Sequence, residues 1–292
     1  MKYYVKQFPL IFKNNLYRLD ENGVLLTKIP YSLEYHPSLE YITIYALENV
    51  ENYMDVDCRE KFLNQVNWLR NNIDEEGKWE QKFRLPYYNF GKSWISGMGQ
   101  GLAISVLIRA YQLTADYNYL KTAKKAFKPF EKQIKDGGIL YLDESKNVWI
   151  EECSVYPPPH TLNSFIYSLF GIYDLYKTTD SNDVAELWFK GVDTLRKNIK
   201  EYDSGYWSYH NLLTKHPAET MYHRIHIEQL EVLYKLTDKK IFKKYNDKFQ
   251  EYLNSSSCMY KAKVNRGITH FKIHGTVGLI KRYVEKKRWQ DE

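Results

Sequence analysis

The 292-residue chain has only three cysteines, Cys58, Cys153 and Cys258. They are far apart and odd in number, which argues against a disulfide framework and a Cys-x-x-Cys metal site. No window approaches the roughly 18 consecutive apolar residues of a membrane span. The start, Met1 to Leu10, lacks the apolar core and small-residue cleavage pattern of a signal peptide. These absences lead to the expectation of a cytoplasmic protein in a reducing compartment. There is no Gly-x-Ser-x-Gly elbow, no glycine loop ending in Gly-Lys-Ser/Thr, and no nucleic-acid-reading module. Prolines number only 9 and glycines 14, and no low-complexity linker divides the chain. We therefore expect one domain over residues 37–292 behind a short N-terminal extension, residues 1–36, in which Val24–Lys28 reads as a strand.

What the chain has in excess is aromatic: 27 Tyr and 7 Trp within a 16% aromatic total. Such side chains pair a flat apolar face with a polar tip, which suits sugar rings as well as helix packing. The net charge of +6 is spread along the chain; it suits a polyanionic sugar but is too diffuse to argue for nucleic acid.

A repeat organises the sequence. Leu107-x3-Tyr111, Leu169-x3-Tyr173 and Leu230-x3-Tyr234 share a frame about sixty residues apart, each with apolar residues at helical spacing. Each is followed by a second helical stretch: Tyr117–Lys132, Asn182–Lys200 and Lys239–Leu253. One period earlier lie Ser38–Val50 and Cys58–Asn72, and Ile273–Val284 closes the series. Between pairs, Glu76–Glu80, Asp136–Tyr141 and Asp203–Tyr209 carry glycine and aromatics and read as hairpins or crossing loops on one rim. The expectation is an all-α protein, an α/α toroid of about four helix pairs with short rim β-hairpins.

Chemistry-bearing residues fall where these helices start. Gly97-Met-Gly-Gln-Gly101 opens one, and its N–H groups and Gln100 would suit an anion or a sugar hydroxyl; the alternative is a glycine-lined helix crossing. Glu151-Glu152 precedes another; in a dry rim such a carboxylate drifts towards neutrality and can carry a proton. Tyr222 opens a third, followed by His223 and His226 on one helix face. No third metal ligand can be assigned, so no metal is expected. A tyrosine becomes a useful base only beside cations; His223, Arg224 and Lys215 are possible sources.

Four segments, Trp94–Tyr111, Glu151-Glu152, Leu162–Leu175 and Tyr222–Leu230, together resemble the C-terminal domain of heparosan-type D-glucuronyl C5-epimerases. The resemblance implies conversion of D-glucuronate to L-iduronate within a polysaccharide or oligosaccharide, by removing the C5 proton and reprotonating the opposite face. It implies an isomerase without a cofactor, a uronate-containing glycan as partner, and a homodimer. Catalytic candidates are then Tyr222 and Glu152, with Tyr209 and Tyr156 as displaced counterparts of further tyrosines. Binding candidates are Arg84, Tyr88, Trp94, Gln100, Asn163, His223, Arg224 and His226. The family's arginine after its Ser-Gly-x-x-Tyr loop is missing here, so Arg84, Lys92, Arg224 and Arg266 compete for the carboxylate clamp. The resemblance does not extend to the family's large N-terminal β-domain, so a shorter cleft is expected. A polysaccharide lyase or uronyl hydrolase on the same toroid, or an inert glycan-binding toroid, are the competing readings.

Overall fold

The computed structural model describes residues 4, 16–28, 34–83 and 93–291, with backbone alone at 273–274 and beyond Gly275. Four helix pairs follow in sequence: α1 (Leu39–Val50) with α2 (Val56–Asn72), α3 (Gly97–Thr114) with α4 (Tyr117–Lys125), α5 (Leu162–Thr179) with α6 (Asn182–Asn198), and α7 (Thr220–Thr237) with α8 (Lys240–Asn254). The first member of each pair is inner, and these pack in the order α1, α3, α5, α7. The second members form an outer layer. This is the α/α toroid that the repeat implies. The chain closes with α9 (Ser256–Asp291), broken by Gly275 at φ 63° and ψ 178°. No described helix is long and apolar enough to cross a membrane.

Three short sheets decorate one rim. β1 (Tyr17–Leu19), β2 (Leu25–Lys28) and β3 (Tyr35–His36) pair in that order; β4 (Glu80–Gln81) pairs with β5 (Trp94–Ile95), and β6 (Leu140–Leu142) with β7 (Val148–Ile150), all antiparallel. The expected strand at Val24–Lys28 is β2. The Asp203–Tyr209 segment makes only isolated bridges, Asp203 to Ser208 and Tyr209 to Pro217. There Ser204 and Asp203 turn their side chains onto local N–H groups and close a tight loop instead of a ladder. Two expected boundaries move. α4 stops at Lys125 because Pro129 cannot continue the ladder, and a 3₁₀ turn takes Lys128–Glu131. α9 starts at Ser256, well before Ile273, where Ser255 accepts from the Cys258 N–H.

The caps correct the register of the repeat. α3, α5 and α7 are each 18 residues long, end in Thr, and pass into a left-handed residue, Ala115, Asp180 or Asp238. The N–H of that residue returns to Tyr111, Tyr176 or Tyr234 at 2.8 Å in every case. Tyr176, not Tyr173, is thus the counterpart of Tyr111 and Tyr234. Residues three apart share a helix face, so the sequence frame matched one turn too early.

The tightest crossing joins α3 to α5. A Cβ on Gly171 would sit 2.1 Å from the Gly101 carbonyl oxygen, and one on Gly101 would sit 2.6 Å from Ser168 Cα. Both obstacles are backbone and cannot yield. We expect Gly171→Ala to lower stability by about 1–3 kcal/mol, the usual cost of overpacking, as read by urea denaturation. A change within error would mean the helices separate easily.

Candidate active site

The toroid sets the inner helices parallel, so their N-terminal ends share one mouth. The third residues of the four are Tyr41, Gly99, Ser164 and Tyr222. Three of them carry hydroxyls, and Gly99 leaves space that Leu39 and Glu40 occupy.

The two adjacent glutamates diverge. Glu151 is fully buried; its carboxylate accepts the His160 N–H at 2.9 Å and meets His160 Nδ1 at 2.5 Å. Its backbone carbonyl accepts from the Gly97 N–H at 3.1 Å, and a Cβ on Gly97 would lie 2.3 Å from that oxygen. Glycine is therefore required for the Glu151-Glu152 segment to approach α3. The chain bends at Glu152, whose side chain lies by Thr161, Ser164 and Glu40 at the mouth. Burial, with Glu40 and Glu151 nearby, raises its carboxyl from an ordinary 4.5 to about 7; the hydroxyls of Thr161 and Ser164 oppose that rise.

Tyr222 lies within electrostatic reach of Glu152, Tyr41, Glu219 and Tyr17, and burial together with those groups raises its phenol well above 10. Burial and these groups all disfavour a phenolate, so Tyr222 is held as the neutral phenol, with a proton to give. The expected cation sources do not act on it. His223 is buried and held neutral, its pKa pushed down to about 4 by burial; Arg224 is exposed; Lys215 pairs with Glu201 at 3.9 Å.

Several expected site residues are structural. Gln100 is fully buried: its oxygen accepts from the Trp79 N–H at 3.0 Å, and its nitrogen donates to the Gly77 and Ala126 carbonyls at 2.9 and 3.1 Å. It ties the β4 loop to α3 and has nothing left for a substrate. The glycine segment is not an anion loop either, since Gly99 N–H donates to Ser96 Oγ at 3.0 Å. His223 stacks on Trp207 at 3.7 Å, and its Nδ1 and Nε2 meet Ser208 Oγ and the Phe249 carbonyl at 2.7 and 3.0 Å. Tyr156 is 83% exposed, beside Tyr141, and joins neither carrier. Tyr209 lies beside Tyr206. Arg224 points to solvent, and Arg266 donates to the Ala218 carbonyl at 3.2 Å. Arg84, Tyr88 and Lys92 lie outside the described residues.

Others stand near the mouth. Trp94 is buried, donates from its ring to the Phe83 carbonyl at 3.0 Å, and packs against Cys153, the neighbour of Glu152. Asn163 and His226 are buried beneath the helix starts; Asn163 Oδ1 and His226 Nε2 have no hydrogen-bond partner, nor has Gln229 Oε1. Gln229 donates to the Asn163 carbonyl at 2.9 Å, which ties two of these groups together. Unpaired buried polar atoms are costly and mark places where another molecule can supply the missing bond.

Four contributors escaped the sequence reading. His210, its ring 4.8 Å from that of Tyr222, is kept neutral by burial, its pKa down to about 3. Tyr17 and Tyr41, rings 5.4 Å apart, share a hydrogen bond. Glu40 accepts from Gln81 Nε2 at 2.6 Å and Ser38 Oγ at 2.9 Å. The available signal was periodic: one repeat back from Met98 lies the start of α1, so Glu40 and Tyr41 fall on the mouth. The Ser208 hydroxyl bridges His223 and His226 at 2.7 and 2.8 Å. Among the described residues no group of three or more His, Cys, Asp or Glu is placed to hold a metal ion.

The profile of the D-glucuronyl C5-epimerase C-terminus family matches residues 73–251, more than half of the chain. The chain belongs to that family. The matched span begins just ahead of β4, ends within α8, and contains both Glu152 and Tyr222. The domain is 31% identical over 218 residues to the D-glucuronyl C5-epimerase of Caenorhabditis elegans, covering 65% of this chain and 34% of that protein. It is 32% identical over 176 residues to an uncharacterised protein of Methanocaldococcus jannaschii, covering 59% of this chain and 57% of that one. The C5-epimerase-family domain thus spans little more than half of one relative and a third of the other. In fold it is similar to a GH76 α-mannanase of Bacteroides thetaiotaomicron, with a TM-score of 0.54 at 12% identity over 78% of this chain and 61% of that one.

Proposed function

We propose that this domain is a uronate C5-epimerase, in which Glu152 removes the C5 proton of a glucuronate residue in a glycan and Tyr222 protonates the opposite face. The observation that carries this reading is that a carboxyl and a phenol, both disfavoured as anions by burial, lie within electrostatic reach of each other at one mouth. A carboxyl near neutrality can accept a proton, and a phenol held neutral can give one. The C5–H bond breaks to leave an enolate delocalised into the substrate carboxyl; the new C5–H bond takes its proton from Tyr222. Glu152 then releases its proton and the phenolate regains one from solvent, so the balance closes without an oxidant or cofactor.

The enolate must be stabilised. Of the clamp candidates among the described residues, Arg224 is exposed and Arg266 donates to the Ala218 carbonyl just ahead of α7. α1, α5 and α7 begin at the mouth without a side-chain cap, so the positive ends of three helix dipoles support a substrate carboxylate. His226 Nε2 and the Asn163 side chain add polar groups in need of a partner. The homodimer and the cytoplasmic setting are part of this proposal and rest on the family resemblance and the sequence alone.

The test is incubation with oligosaccharides of alternating glucuronate and N-acetylglucosamine. Iduronate signals by proton NMR, with no new ultraviolet absorbance, are the expected result. Their rate should rise as pH passes through about 7, as Glu152 ionises. New absorbance from an unsaturated uronide would make the domain a lyase, because expulsion of the C4 substituent would then follow the same deprotonation.

A further inference from the structure

Helix α2 is an unusual carrier of asparagine. Asn64, Asn67, Asn71 and Asn72 fall within nine positions, with Trp68 among them. Asparagine is a poor helix former because its side chain competes for backbone bonds, so four in two turns weaken the helix unless they serve another purpose. Their spacing places them along one face. Asn72 bonds back to the Trp68 carbonyl at 2.9 Å. Asn67 accepts from the Tyr119 hydroxyl at 3.2 Å, which occupies its oxygen and leaves its N–H groups for another partner.

These residues line a recess of about 430 Å³ whose other wall is the β1–β2 turn, with Asp20 and Asn22. A second recess, of about 280 Å³, lies between β3 and β4 and presents His36, Phe83, two lysines, Lys78 and Lys82, and two carboxylates, Asp74 and Glu80. Trp68 and Asn72 line both, so the two meet across the half-buried Trp68 ring. The inner recess also includes Gln81, the residue that bonds Glu40 at the mouth. A path therefore leaves the mouth at Gln81, passes two lysines, crosses Trp68 and ends among the asparagines. The outer recess falls in the size range in which ligands bind, and the inner one lies just below it.

We infer that this path is a glycan-binding trough whose outer half takes a neutral sugar residue of the chain being processed. Amides both donate and accept, which matches hydroxyl and acetamido groups. The outer half has no cation, and Asp20 would repel a uronate, so it takes the neutral residue; the only cations lining the path among the described residues, Lys78 and Lys82, are in the inner half, where Asp74 and Glu80 balance them. Trp68 offers a flat face on which the apolar side of a pyranose can rest. The inference rests on the proposed reaction for its substrate class, while binding is measured independently of turnover.

The experiment compares tetrasaccharides and octasaccharides of alternating glucuronate and N-acetylglucosamine, bound to the full chain and followed by calorimetry. The octasaccharide should bind about ten- to thirtyfold more tightly, the low end of the scale of two or three neutral hydrogen bonds and one ring contact, since ordering the longer glycan offsets part of the gain. The double variant Asn67→Ala/Asn71→Ala should lose that gain and leave tetrasaccharide binding and its C5 exchange unchanged. Equal affinity for both lengths, no binding of either, or a double variant that keeps the gain would overturn the trough. Length-dependent binding without C5 exchange would retain the trough and overturn the epimerase reading. C5 exchange without length dependence would do the reverse.

Discussion

Glu152→Gln is expected to lower turnover by about 10²–10⁴-fold, the usual contribution of a positioned proton carrier, with glycan binding and folding intact. The amide keeps the shape of the carboxyl and the neighbouring hydroxyls of Thr161 and Ser164, but cannot accept a proton from carbon. Its effect on stability runs the other way. The Glu152 carboxyl titrates near 7 in the folded chain against an ordinary 4.5, so the folded state holds its proton more tightly than the unfolded state. Stability from this group is present below about 4.5 and is lost as pH rises towards about 7. Glutamine removes that loss, so the melting temperature of Glu152→Gln should match the parent near pH 4 and exceed it at pH 8. Activity and stability moving in opposite directions identify a group strained for function. A variant that turns over normally would remove Glu152 from the mechanism; one that melts lower at pH 8 would make it a structural residue.

Asp174→Ala should cost about 3–5 kcal/mol of folding stability, the scale for breaking a buried ion pair. Arg109 and Asp174 meet at 2.7 Å with side chains 6% and 9% exposed, joining α3 to α5 at the end of the toroid remote from the mouth. Tyr4 donates its hydroxyl to the same carboxylate and lies beneath the guanidinium, 5.4 Å from ring centre to Cζ. Removing the carboxylate takes from the buried Arg109 its opposite charge and from the Tyr4 hydroxyl an acceptor. Urea denaturation of the single variant gives the cost, and the double variant Arg109→Met/Asp174→Leu should recover most of it, since both charges then leave together. A single-variant loss below about 1 kcal/mol would place the pair effectively in solvent.

The architecture was legible because toroid repeats write themselves as apolar helix starts at a fixed period. The Leu107 and Leu230 frames fell in register; the Leu169 frame slipped by one helical turn because Ile172 and Tyr176 lie on the same face. The mouth was only partly legible. Glu152 and Tyr222 stood out because each occupies a helix approach. Gln100 and His223 looked equally suited to a ligand in sequence, yet both spend their polar atoms on backbone carbonyls and neighbouring loops. A buried polar staple and a binding group have the same local pattern; only the long-range partners, Gly77 and Ala126 for Gln100 and Phe249 for His223, tell them apart. Tyr17, Tyr41, Glu40 and His210 were missed for the same reason in reverse. They reach Tyr222 and Glu152 across the ring, from segments with no distinctive local signature.

The central claim, two proton carriers on opposite faces, is tested most directly by following C5 deuterium and iduronate together in D₂O, with the parent chain and Tyr222→Phe, on glucuronate-containing oligosaccharides. The parent should incorporate deuterium at C5 and form iduronate. Tyr222→Phe should still exchange C5–H through Glu152 but form little iduronate, because the opposite face has lost its donor. Iduronate formed at the parent rate by Tyr222→Phe would contradict the two-carrier account.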